Sequence, residues 1–106
     1  MTIPLDRNKL AQLLIAEEQL FHKNHPKSHE LYQRARKSLP GGVPMLWMMR
    51  WAGSFPVFVK EAKGAHFTDV DGNAYIDFCL GDTGAMTGHS PEATVNAIQE
   101  QAKKGI

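Results

Sequence analysis

The chain has 106 residues, 42% hydrophobic and 22% charged, with twelve Lys and Arg against eleven Asp and Glu for a net charge of +1. That balance fits one small globular domain or a piece of a larger one, and excludes a disordered or low-complexity role. No face is evidently basic enough to hold a phosphate backbone, so nucleic acid is not an expected partner.

The N-terminal stretch MTIPLDRNKLAQLL carries Asp6 early and has no sustained apolar core, so it does not read as a signal peptide. Residues 6–24 predict an amphipathic helix with Asp6 as N-cap, because Leu10, Leu13, Leu14 and Phe21 separate from Glu17 and Glu18 at helical spacing. Asn24-His25-Pro26 should stop it, since the residue before proline is pushed out of the helical region. Residues 1–27 are therefore expected as an N-terminal helix and linker, separate from 28–106. A second helix is expected to start at a Ser28 cap, with Leu31, Ala35 and Leu39 on its buried side, and to end at Pro40-Gly41-Gly42.

Residues 43–55 include PMLWMMRWAG, rich in Met and Trp but without alternation or caps. Two readings stand side by side: a hydrophobic cluster under a loop, or a pocket wall in which Met adapts its shape, Trp47 offers a flat surface and Arg50 a fixed charge.

From Pro56 the pattern turns to β. Val57, Val59 and Glu61 alternate with Phe58 and Lys60; Lys63-Gly64 turns; residues 65–70 return; and Asp71-Gly72 predicts a tight two-residue turn before residues 73–78. A three-stranded antiparallel meander follows, too thin to stand alone. Gly81, Gly84 and Gly88 then space a loop, Ser90 is expected as the cap of a last helix with Pro91 at its first position, and Val95, Ile98 and Ala102 as its buried stripe. The architecture is α+β: N-terminal helices, the meander, and a C-terminal helix left without a covering element.

The single cysteine, Cys79, cannot make an internal disulfide, which fits a reducing compartment, and no stretch is apolar for the roughly 18 residues that suggest a membrane span. A cytoplasmic location with no membrane partner is the expectation. Asp69-x-Asp71-Gly72 has the wrong spacing for a calcium loop, so hairpin turn chemistry is preferred. His22, His25 and His29 lack a completing ligand set and read as surface histidines. His89 reads as a bonding partner of loop backbone; a catalytic base role lacks a nucleophile and an orienting partner in the sequence.

In order, LYQRARKSLPGGV, FVKEAKGAHFTDVDGNAYIDF and GDTGAMTGHSPEATVNAI resemble the N-terminal region of the class III aminotransferases, pyridoxal 5'-phosphate enzymes of fold type I, with glutamate-1-semialdehyde aminomutases and β-amino-acid transaminases as the nearest members. The likeness spans residues 28–106, about three quarters of the chain. It implies the first part of the minor domain, with loops on the substrate side of a site shared by two subunits. It also implies an amino acid or amine substrate, a homodimer when full length, and a Schiff-base lysine and phosphate-binding residues lying later in the chain, so that neither catalytic nor cofactor-binding residues are assigned. By the same resemblance, Arg50 after the Pro-Gly-Gly turn, and Asp82 and Thr83 where the family often has an aromatic ring, are candidate substrate-binding residues, and the pocket-wall reading of residues 43–55 adds Trp47. Arg50 falls later than the family's usual spacing, and Met-Leu-Trp-Met-Met replaces its common Asn-Ser-Pro pattern. The competing expectation is a small non-enzymatic binding module with the Met/Trp loop as its partner surface.

Overall fold

A computed structural model of the chain describes residues 5–50 and 53–105; Trp51, part of the expected aromatic loop, lies outside the described residues. Two compact units divide the chain, Met1–Phe58 and Val59–Ile106.

In the first unit, helix α1 runs Arg7–Asn24 and helix α2 Pro26–Ala35. The Asp6 carboxylate starts α1 as expected, accepting from the Asn8 and Lys9 amides at 3.0 Å each. His25 breaks the helix with φ −129° and Pro26 occupies the first position of α2, where its missing N–H is no loss. The His25 Nδ1–H donates to the Phe21 carbonyl at 2.7 Å, covering an acceptor that the end of α1 frees.

Ser28 is not the cap of α2. It sits inside the helix, fully buried, and its Oγ accepts from the Phe58 amide at 3.3 Å. The helix also ends earlier than expected, at Ala35, and a chain of turns carries the backbone to Leu39, which is exposed rather than buried. Pro40–Gly42 then forms a short 3-10 turn. Gly42 has φ +73°, and a Cβ there would lie 2.7 Å from the Tyr32 ring, so both conformation and contact require glycine.

Phe55 and Val43 form the core of this unit. Around Phe55 stand Phe21 at 4.8 Å, His22 at 5.1 Å, His29 at 4.9 Å and Tyr32 at 6.2 Å between ring centroids. The three histidines are therefore not simple solvated residues: His25 is buried against Phe21, and the other two pack on Phe55. Burying a phenylalanine stabilises by about 1.5–3 kcal/mol, so Phe55 holds the helix pair to the segment that follows. The leucine face of α1 stays open, with Leu10, Leu13 and Leu14 each more than half exposed.

The second unit carries strands β1 (Val59–Lys63), β2 (His66–Asp69) and β3 (Ala74–Ile76) in the order β1-β2-β3, antiparallel throughout, followed by helix α3 (Glu92–Ala102). β1 begins at Val59, two residues later than the alternation suggested. Lys63 pairs with His66 around the two-residue turn Gly64-Ala65. The second hairpin differs from expectation. Asp69 and Asn73 pair across three residues, Val70 to Gly72, because the Gly72 amide closes a turn onto the Asp69 carbonyl at 3.1 Å and Gly72 then bulges at φ +95°.

Asp69 is the hub of that hairpin. Fully buried, its carboxylate accepts from the Asp71 and Asn73 amides at 2.9 and 2.8 Å, from Asn73 Nδ2 at 2.9 Å and from the Tyr75 hydroxyl at 2.8 Å. Burial raises its pKa, but these bonds outweigh it and hold the carboxyl below its ordinary range. Burial and the bond to Asp69 push the Tyr75 hydroxyl up to about 12. Tyr75 in turn stacks on Phe67 at 4.7 Å. The aspartates that suggested a calcium loop thus serve the turn.

Candidate functional site

Between β3 and α3 the backbone makes a tight loop, residues 77–90, whose conformation local sequence preferences do not favour. Leu80, Gly81, Asp82 and Thr83 all have positive φ, at 55°, 56°, 54° and 73°. Glycine adopts that region freely; leucine does so with strain and β-branched threonine with more. Something must hold the run in place.

Asp77, buried at the end of β3, does so. Its Oδ1 accepts from the Cys79 and Leu80 amides at 2.9 and 2.8 Å, and its Oδ2 from the Gly81 amide at 3.0 Å. The fourth donor is distant in sequence: His89 Nε2–H reaches Oδ2 at 2.6 Å. The histidine bond, first, and the three loop amides hold the Asp77 carboxyl below its ordinary range against the opposing effect of burial.

His89 is itself fixed at its backbone. Its N–H and C=O exchange bonds with Gly64 at 2.8 and 2.9 Å, an isolated antiparallel bridge that staples the loop's end to the β1–β2 turn. Gly88 makes the approach possible: a Cβ there would lie 3.2 Å from the Gly64 Cα, and its φ is +89°. Next in the chain, Ser90 takes φ +50° and its Oγ donates to the Ala62 carbonyl at 2.9 Å. Ser90 is therefore not the cap of α3. Pro91 stands at the cap position without a side-chain bond, and Glu92 supplies the first-turn charge. Of the expected stripe, Val95 is half-buried while Ile98 and Ala102 are exposed.

At the tip of this loop Asp82 and Thr83 are exposed, while Ala85 is buried. Phe78 and Met86 are also strongly exposed, so the loop presents apolar and polar surface together. A separate groove of about 690 Å³ runs across the sheet to the start of α3, lined by Lys63, Thr68, Ser90, Glu92 and Val95 among others. Asp82 and Thr83 do not line it.

Trp47 and Arg50 belong to the first unit. Trp47 lies in the 3-10 turn Leu46–Met49, and the Arg50 amide closes that turn onto the Trp47 carbonyl at 3.1 Å. Both side chains are exposed. Val43 and Phe55 are core, as the cluster reading expects, and Met48 and Met49 line a cavity of about 60 Å³ with Tyr32 and Pro56. Trp47 and Arg50 are outside that lining.

The Asp77–His89 pair is what sequence reasoning missed. The signal was an aspartate ending a strand just before a glycine-spaced loop, where its carboxylate suits the next amides. The pairing with His89, twelve residues on, had no local sign.

The described residues thus form an α+β arrangement in which a strained loop is held by a buried Asp77–His89 bond. Residues 47–106 match the class-III aminotransferases, and the chain belongs to that family. It is 44% identical to the glutamate-1-semialdehyde 2,1-aminomutase of Thermoplasma volcanium over 79 residues, 74% of this chain and 18% of that protein. The structure superposes on a glutamate-1-semialdehyde aminomutase from Pseudomonas aeruginosa PAO1, also solved in complex with PMP, with a TM-score of 0.86 and 43% identity over 97% of this chain and 23% of that one. For a β-phenylalanine aminotransferase from Variovorax paradoxus the TM-score is 0.78 at 27% identity, covering 91% of this chain and 22% of that one. The chain thus spans about a fifth of the length of the curated relatives it matches.

Proposed function

We propose that this chain is the N-terminal, substrate-side portion of a pyridoxal-phosphate-dependent aminotransferase or aminomutase, which moves an amino group between an amino acid and a keto acid or aldehyde. Residues 28–106 would form the first part of its minor domain, in a homodimeric, cytoplasmic enzyme. The observation that carries this reading is the likeness to the Pseudomonas aeruginosa aminomutase across nearly the whole chain. It leaves the small-module alternative without support.

The residues present do not fit the cofactor itself. All eight lysines are exposed, and Lys63 borders the groove on the sheet beside Glu61 and Glu92, whose charges oppose a phosphate. Cofactor chemistry therefore belongs to the remainder of the enzyme, which supplies the electron sink while this portion orients the substrate.

Four residues take the substrate-side roles. Arg50, whose guanidinium is planar and always charged, holds the substrate carboxylate through paired N–H donors. Trp47 offers a flat apolar wall beside it. Asp82 and Thr83 give a small polar edge where an aromatic ring would otherwise stand, and the acidic Asp82 side chain disfavours a second substrate carboxylate there.

The test is steady-state kinetics of the full-length holoenzyme with Arg50→Ala. The substrate KM is expected to rise by roughly 10-fold or more while cofactor absorbance at saturation stays unchanged, the pattern of a lost binding contact. An unchanged KM, or an equal loss of cofactor, removes Arg50 from the site.

A further inference from the structure

We infer that Asp77 and His89 are positioning residues for the substrate edge, setting where Asp82 and Thr83 stand without touching the substrate themselves; the inference rests on the substrate-side reading above. The strained run 80–83 includes three residues other than glycine at positive φ, one of them β-branched. Such a run persists only where its surroundings over-determine it. The surroundings here are few and identifiable. Three consecutive amides, those of Cys79, Leu80 and Gly81, end on the Asp77 carboxylate. These fix the entrance to the run. Further turn bonds run from the amides of Asp82, Gly84, Ala85 and Gly88 to the carbonyls of Cys79, Gly81, Leu80 and Ala85, at 3.1, 3.3, 2.8 and 2.8 Å.

His89 fixes the exit and ties it to the entrance. Its ring donates to the same carboxylate oxygen that accepts from Gly81, and its backbone is stapled to Gly64 on the sheet. Both ends of the loop therefore meet at Asp77, and the tip has little freedom left. The pair is only partly open to water, with His89 23% exposed and Asp77 8% at their side chains, so the bond is poorly screened. The His89 Nε2–H is committed to the Asp77 carboxylate, the contact through which the pair ties the two ends of the loop together. A displacement of a substrate-facing group by about 1 Å can cost roughly 100-fold in rate, which is the scale on which such a clamp matters.

The experiment uses the full-length holoenzyme with Asp77→Asn, His89→Ala and His89→Gln, each measured for amino-substrate KM, kcat and cofactor absorbance. Asp77→Asn and His89→Ala should raise KM roughly 10- to 100-fold with the cofactor spectrum unchanged. His89→Gln, whose side-chain amide reproduces the Nε2–H donor, should stay within about threefold of the parent. In an Asp82→Ala/Thr83→Ala background, Asp77→Asn should add less than about twofold, because residues acting through one element are non-additive. If Asp77→Asn does not fold, His89→Ala in the same background carries the test. Full additivity in that background, or variants that lower only the melting temperature, would overturn the inference. Should Asp82→Ala/Thr83→Ala alone leave KM unchanged, the substrate-side reading itself fails and the inference with it; a raised KM there with no effect of Asp77→Asn or His89→Ala defeats the inference alone.

Discussion

Asp69 offers a direct measure of how much one buried carboxylate contributes to the meander. Asp69→Ala removes the acceptor of four hydrogen bonds, two from backbone amides at the hairpin tip, one from Asn73 Nδ2 and one from the Tyr75 hydroxyl. A hydrogen bond to a charged group contributes about 1.5–3 kcal/mol, but Asp71 and Asn73 are half-open to water, which recovers part of each lost bond, so the expected cost is about 4 kcal/mol. Asp69→Asn is expected to cost less, about 1.5 kcal/mol. Its carbonyl can still accept from the two amides, while the Asn73 amide rotates and the Tyr75 hydroxyl turns acceptor to meet the new NH₂. Amide hydrogen exchange at Asp71 and Asn73 reads this locally, as the free energy of opening the hairpin. The pH dependence has a definite sign. The native carboxyl titrates below its ordinary value of 3.8, so its stabilisation is fully present above the unfolded carboxylate range and is lost as pH falls through the native value. The parent's advantage over Asp69→Asn should thus hold at neutral pH and shrink in strong acid. An Asp69→Ala cost under about 1 kcal/mol, or equal costs for the two variants, would refute the hub role of Asp69.

Two glycines give simpler comparisons by thermal unfolding. Gly42→Ala meets both positive φ and the Tyr32 ring, whereas Gly72→Ala meets positive φ with nothing within 4 Å; the first should cost about 3 kcal/mol and the second about 1 kcal/mol. Gly88→Ala should separate the Gly64–His89 bridge, because its Cβ meets backbone that cannot swing aside, and should speed exchange of the Gly64 and His89 amides; unchanged protection there would show that the bridge does not depend on glycine.

Much of the local structure was legible in the sequence because its causes lie within a few residues. Asp6 caps α1 through amides two and three positions on, and Pro26 fixes where α2 begins. The meander follows from alternation and from Gly64 and Gly72, which alone meet the φ of their turns cheaply. The family likeness was legible too, since it rests on residue order and spacing. The two serine caps were not, because a serine hydroxyl bonds equally well to a nearby amide or to a remote one. Ser28 is taken by Phe58, thirty residues away, and Ser90 by Ala62, twenty-eight away. The three-residue turn at Val70–Gly72 likewise depended on pairing register, which Asp-Gly alone does not set.

What the sequence determined by itself is the list of elements and their order, since helix caps, strand alternation and turn glycines act over a turn or two of chain. What only the tertiary structure decided is which polar side chains find each other: His89 with Asp77 across the loop, and the histidines of α1 and α2 gathered on Phe55. A buried donor or acceptor must be satisfied by whatever the fold brings within reach, and that choice is made by packing rather than by neighbours in the chain.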